Sequence, residues 1–158
     1  MRNPDSAFPE GQDVDLVDLL LTQHARIEDL FTLVAGSTGE ARRGAFEELA
    51  RLLTVHEMAE QEVVHPLVRG LGDSAGIVDD RLAEERQANE TLAELRDADI
   101  DSDAFTTTLL LLREAVLTHA RHEERYEFPQ LRARVPAERL RALAEEVRGT
   151  ETKALHPA

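Results

Sequence analysis

The chain has no cysteine among its 158 residues. Disulfides, thiolate metal sites and cysteine nucleophiles are excluded together, and a cytoplasmic location is the expectation that fits this composition. No run of about 18 apolar residues occurs, so no membrane-spanning helix is expected. The start, "MRNPDSAFPEGQDVD", lacks the apolar stretch of a secretion signal and carries several acids instead. Bases are scarce: 18 Lys and Arg stand against 32 Asp and Glu, a formal net charge of -14. Such a surface repels nucleic-acid phosphates and anionic lipid, so neither nucleic acid nor membrane is an expected partner. Hydrophobic residues make up 42% of the chain, enough for one domain with a real core. Most of the acid is a solvated surface, but an acidic balance also fits carboxylates that face inward and hold cations.

The apolar residues recur with a helical period. Leu16, Leu20, Ile27, Leu30, Phe31 and Val34 step by threes and fours from about Asp13, until "AGSTGE" breaks the run. A second helix follows from about Glu40, carrying Phe46, Leu49, Leu52, Leu53, Val63, Val64 and Leu67. The glycine-rich "RGLGDSAG" reads as a loop. A third helix covers about 76–97 and a fourth about 102–134, separated by "DADIDSD", which offers capping residues. A short final helix is expected from Pro136, since proline suits a first helical turn. Nothing alternates with period two. The pattern predicts an all-α, up-down-up-down four-helix bundle with a short C-terminal helix. Residues 1–12 read as a flexible lead-in, 13–148 as the bundle and 149–158 as a flexible tail. Pro66 and Pro129 fall near the ends of helices 2 and 4, where a kink or stop is tolerated.

Against this apolar pattern the chain writes one polar pattern twice. Aligned on their first histidines, "HEMAEQEVVHP" and "HARHEERYEFP" share His-x-x-x-Glu with a proline six residues on: His56, Glu60, Pro66 and His119, Glu123, Pro129. Both pairs lie on the inward stripe of their helices. The stripe of helix 1 passes through His24, and that of helix 3 through Glu85 and Asn89. The stripe of helix 4 continues to Tyr126. Residues four apart on a helix have Cβ atoms about 5–6 Å apart, so each pair can aim two donors at one point. Several unpaired carboxylates buried in one core would protonate or unfold the bundle unless cations neutralised them. The repeated pattern is therefore what a buried cation site between helices requires.

The donors are imidazole and carboxylate without sulfur, a set that suits iron, manganese or zinc. With Glu60 and Glu123 as bridges, with His24, His56, His119 and Glu85 as terminal donors, and with a bridging oxo or hydroxo, the site offers about ten bonds. That is what two five- or six-coordinate ions need, with room for a small exogenous ligand.

These residues resemble the hemerythrin-like, or HHE cation-binding, domain. The resemblance runs over about residues 13–135 and is carried by His24 in "TQHARIEDLF", by His56 and Glu60, and by His119 and Glu123. It implies a four-helix bundle around two iron ions with a bridging oxo or hydroxo, and a protein that meets dioxygen, nitric oxide or peroxide, or handles iron. It also implies bridging roles for Glu60 and Glu123. Some members use a Glu directly after the helix-2 histidine, which makes Glu57 a further candidate ligand. Helix 3 departs from the family: where one or two histidines are usual, "LAEERQANETLAEL" has none and Glu85 stands at that position. Harder oxygen ligands favour oxidised iron, which disfavours reversible oxygen carriage and favours oxidative or peroxide chemistry. Zinc or manganese also becomes possible.

The metal candidates are thus His24, His56, Glu57, Glu60, Glu85, His119 and Glu123. Glu28, His65 and His122 are weaker candidates, Asn89 is a donor or pocket-lining group, and His156 lies in the tail. Three functions stay open: a binder or sensor of a small diatomic ligand or peroxide, an enzyme that decomposes peroxide or oxidises iron, and a module in which metal merely staples the bundle. Oligomeric state is not legible.

Overall fold

A computed structural model describes residues 14–72 and 75–155. Five helices account for nearly all of them, and no strand occurs among the described residues. Helix 1 is Leu16–Gly36. Helix 2 comprises Gly39–Ala59, a π-helical turn Glu60–Val64 and a final segment His65–Gly70. Helix 3 is Ala75–Asp97. Helix 4 comprises Asp103–His122, a π-helical turn Glu123–Glu127 and Phe128–Arg134. Helix 5 is Ala137–Leu155.

The helix starts follow from local chemistry. Asp15 accepts the Asp18 N–H at 2.8 Å, and Asp18 accepts the Asp15 N–H at 3.3 Å, a reciprocal cap on helix 1. Ser102 caps helix 4 by accepting the Phe105 N–H at 3.1 Å. Between helices 1 and 2 the chain turns through Gly39 at φ +58°, a left-handed conformation that glycine adopts without strain. Buried Arg42 closes this end: its guanidinium donates to the carbonyls of Val34, Ser37 and Ile100 at 3.1, 2.6 and 3.0 Å.

The core is two apolar clusters with a polar layer between them. One cluster holds Leu16, Leu19 and Leu20 of helix 1, Val63 and Val64 of helix 2, Phe128 and Leu131 of helix 4, and Leu140, Leu143 and Val147 of helix 5. The other holds Ile27, Leu30 and Phe31, Leu49, Leu92, Leu95, Phe105, Leu109 and Leu112. Each buried Leu or Phe contributes about 1.5–3 kcal/mol, so each end of the bundle is held firmly. The gap between the clusters falls at His24, at His56 to Glu60, at Glu85 and at His119 to Glu123.

Two features differ from the sequence expectation. Helix 5 is not short: it runs through residues 149–155, where a tail was expected, because Leu140, Leu143, Ala144 and Val147 bury a full stripe against the first cluster and Glu151 continues it inward. The expected lead-in at 1–12, and His156, lie outside the described residues. Second, the prolines neither stop nor simply kink their helices. Each has no N–H to give and would crowd the carbonyl four residues back. The preceding residue instead bonds five back, His65 N–H to the Glu60 carbonyl and Phe128 N–H to the Glu123 carbonyl. This widened turn is why Tyr126, expected on the inward stripe, is 48% exposed while Glu127 is buried. No helix among the described residues is long and apolar enough to cross a membrane.

Candidate metal centre

In each half of the repeat the π-helical turn begins at the glutamate itself, Glu60 or Glu123. Such widened turns recur at functional positions in helices. Here the turn brings the residue five positions on beneath the glutamate. In the second repeat that residue is Phe128, whose ring stacks on His24 with centroids 5.7 Å apart. In the first it is His65, whose Nε2–H donates to Glu85 at 3.0 Å.

Glu60 and Glu123 are fully buried, with His24 and His56 at 6% and Glu85 at 4% exposure. One donor atom each from His24, His56, Glu60 and Glu123 lie within 4.8 Å of one another, and the same holds for Glu60, Glu85 and His119. Glu60 belongs to both groups through different oxygens. Its Oε1 touches His56 Nε2 and stands 3.8 Å from His24 Nε2; its Oε2 stands 3.6 Å from His119 Nε2. Glu123 Oε1 also faces both sides, 3.5 Å from His24 Nε2 and 3.4 Å from His119 Nε2. Glu85 Oε1 is 3.8 Å from His119 Nε2. Two donors held by one ion at about 2.1 Å stand about 3–4.2 Å apart, which is the range of these separations except for the closer His56–Glu60 contact.

The residues fit a cation on a second ground. His24 Nε2 and all four carboxylate oxygens of Glu60 and Glu123 are shut from water, and none makes a hydrogen bond. Buried polar atoms are otherwise almost always paired. Donors that converge without bonding one another are what shared cations would satisfy.

The outer nitrogens of the same histidines are all engaged. His24 Nδ1 meets Glu124 at 2.8 Å, His56 Nδ1 meets the Gln23 oxygen at 2.6 Å, and His119 Nδ1 meets Glu84 at 3.0 Å. A proton on Nδ1 leaves the Nε2 lone pair facing the centre, and such partners also raise the basicity of a ligating imidazole. Glu84 is shared with His122 Nδ1 at 2.9 Å and braced by Arg81 at 3.1 Å.

Without metal the centre is crowded with opposed charges. Burial opposes a charge on His24, yet the facing carboxylates of Glu123 and Glu60 and the hydrogen bond with Glu124 raise it well above the ordinary imidazole range. Burial likewise opposes His119, but the Glu123 and Glu60 carboxylates facing it and the hydrogen bond with Glu84 push it up to about 12. Burial also opposes ionisation of Glu60, but His56, His119 and His24 hold it well below the usual carboxylate range. Burial and the neighbouring Glu60 charge push Glu123 well above it. Burial and Glu60 also push Glu127 up to about 7.

Six of the sequence candidates are therefore brought together: His24, His56, Glu60, Glu85, His119 and Glu123. Glu57 stands outside both groups; it is half-buried and accepts the Asn89 side-chain N–H at 2.7 Å and that of Gln61 at 3.2 Å. Glu28 is turned away, 3.8 Å from Arg113. The sequence reading missed Gln23, Glu84, Glu124, Glu127, Arg81 and Glu151 as partners around the site, and underweighted His65. The shared Glu-x-x-x-x-[His/Phe]-Pro spacing was the one signal that pointed to position 65.

Beside the centre lies a cavity of about 40 Å³ for water-sized molecules. Its polar wall includes the centre's own donors His24, His56, Glu60, Glu85 and His119, with Glu57, Glu84 and Asn89; its apolar wall includes Ile27, Leu53, Leu92, Leu112 and Val116. Of the lining residues that are not buried, Leu53, Glu57, Glu84, Ala88 and Asn89 belong to helices 2 and 3 and His119 to helix 4, so the mouth opens mainly between helices 2 and 3.

Comparison with known proteins agrees with this picture. The family model of the hemerythrin HHE cation binding domain matches residues 15–131. The crystal structure of a hemerythrin HHE cation binding domain-containing protein from Mycobacterium kansasii superposes with a TM-score of 0.78 at 21% identity, over 89% of this chain and 87% of that one. A DNA nickase from Nostoc sp. is 26% identical over 155 residues, which is 94% of this chain. The chain spans only 43% of that relative's length.

Proposed function

The chain belongs to the hemerythrin HHE cation-binding domain family, and on that premise we propose that it is a non-haem di-iron protein that takes dioxygen, nitric oxide or peroxide at a carboxylate-rich centre. The observation that carries the reading is the division of Glu60, whose two buried oxygens face different groups of donors and bond to nothing else. His24, His56, Glu60 and Glu123 would hold one ion, and Glu60, Glu123, Glu85 and His119 the other. An iron pair, when bound, supplies Lewis acidity and one-electron redox capacity.

The chain's own contribution is to orient, to exclude water and to leave one side open. Glu124, Gln23 and Glu84 keep the Nδ1 protons on the three histidines and so direct their Nε2 lone pairs inward. The two apolar clusters seal the centre above and below. The cavity supports an exogenous ligand over a closed metal staple, because it abuts Glu60, Glu85 and His119 and ends in alkyl side chains. A ligand of a few atoms fits it. Glu85 in place of an imidazole supports oxidative or peroxide chemistry over reversible oxygen carriage, since harder oxygen donors favour the higher oxidation state. The net charge of -14 weighs against a role on DNA like that of the nickase relative.

The test is spectroscopic. Iron-loaded protein is mixed with azide and, separately, with peroxide. A change in the near-ultraviolet and visible absorption with both is expected. A spectrum indifferent to both would establish the stapled-module reading instead.

A further inference from the structure

Helix 5 lies outside the matched family segment, yet it reaches the metal centre through one buried carboxylate. Glu151 and Gln23 are both 0% exposed. Glu151 Oε1 accepts the Gln23 side-chain N–H at 2.9 Å, and Gln23 Oε1 in turn meets His56 Nδ1 at 2.6 Å. The second Glu151 oxygen is buried without a hydrogen bond. A carboxylate placed there costs the fold stability, so packing alone does not account for it.

The chemistry of the three side chains does. A glutamine amide can present either its oxygen or its NH2 to a neighbour. Facing His56 with the oxygen, it keeps the imidazole proton on Nδ1 and leaves the Nε2 lone pair aimed at Glu60. Facing it with the NH2, it would drive that proton to Nε2 and close His56 to a cation. Burial pushes Glu151 up to about 7, against the Gln23 hydrogen bond and the Arg148 charge; its Oε1 accepts from the Gln23 NH2, and in its ionised form it can only accept, so it claims the NH2 and leaves the oxygen for His56. His24 and His119 need no such arrangement, because Glu124 and Glu84 meet their Nδ1 atoms directly.

We infer that Glu151 is a positioning residue for the metal centre: by fixing the orientation of the Gln23 amide, it sets the tautomer of His56 and so directs that ligand to the cation. This rests on the metal-centre reading above.

Cobalt(II) tests it independently of iron, since its visible absorption reports binding directly, in competition with a chelator. Gln23→Leu leaves His56 Nδ1 without an acceptor and should weaken cobalt binding about 10- to 100-fold. Glu151→Gln allows both amide orientations and should weaken it about fivefold, roughly one hydrogen bond's preference. The exchanged pair, Gln23→Glu with Glu151→Gln, restores an acceptor for His56 and a donor behind it, and should bind within about twofold of the parent. The metal-free melting temperature of Glu151→Gln should not fall, because a poorly paired buried acid has been removed. Parent-like affinity in both single variants, or an exchanged pair as weak as Gln23→Leu, overturns the inference. So does a lowered metal-free melting temperature with unchanged affinity, which would make the pair structural only. If the parent protein itself takes up neither cobalt nor iron, the metal-centre reading beneath it fails as well.

Discussion

Metal uptake should expel protons. His119, pushed up to about 12, holds a proton at pH 7 in the metal-free protein, and His24 and Glu123 are raised in the same direction. A ligating imidazole nitrogen or carboxylate must give that proton up. Binding of the full complement of ions should therefore release at least one proton per chain, and the overall binding constant should rise about 10-fold or more per pH unit near neutrality. Stability of the metal-free fold should move the other way. A raised histidine contributes stability that is complete below its unfolded value near 6.5 and is lost as pH rises through its folded value, about 12 for His119. Raised Glu123 has the same sign, its contribution falling from about pH 4.5 upward. Each proton so held is worth about 1.4 kcal/mol per pH unit. Lowered Glu60 has the opposite sign, but its window lies below about pH 4.5, so it is constant between pH 6 and 8. The assay is metal addition to weakly buffered protein with a pH indicator, paired with thermal melts at pH 6 and pH 8. The metal-free protein should melt lower at pH 8, and the gain on adding metal should be larger there. Release of fewer than one proton per chain, or a metal-free melting temperature that rises from pH 6 to 8, would refute the charge assignment.

Other outcomes follow from the same contacts. Glu60→Gln should abolish binding of both ions, because Glu60 serves both groups, whereas Glu85→Gln should spare the ion held by His24 and His56; elemental analysis of the two variants separates them. Val116→Phe should fill the cavity, leaving metal content intact but suppressing the spectral response to azide and peroxide. Leu109→Ala, in the apolar cluster away from helix 5, should cost about 2–5 kcal/mol in denaturant unfolding and leave metal stoichiometry unchanged in the folded fraction.

Much of the centre was legible because a helix turns local spacing into geometry. His56 with Glu60, and His119 with Glu123, are i and i+4 pairs, and any reading with a 3.6-residue period puts each pair on one face. His24 and Glu85 stood out as polar breaks in apolar stripes. That logic fails where the period changes. Past Glu60 and Glu123 the π-helical turns add a residue, so a stripe counted by threes and fours lands on Tyr126, while Glu127 and His65 are the buried ones. The prolines that cause the change were visible, but as kinks or stops rather than as a rephasing of the helix. The outer partners were illegible for another reason. Gln23 with Glu151, and His24 with Glu124, meet across 128 and 100 residues of sequence and carry no spacing of their own. Helix 5 was read as short because its polar residues blur the stripe that Leu140, Leu143 and Val147 bury.

The most direct test of the account is the metal content of the purified protein after loading with iron, measured per chain by elemental analysis. Two irons per chain are predicted, one for each group of donors that shares Glu60. A single ion per chain, or none taken up by a folded bundle, would contradict the dinuclear centre.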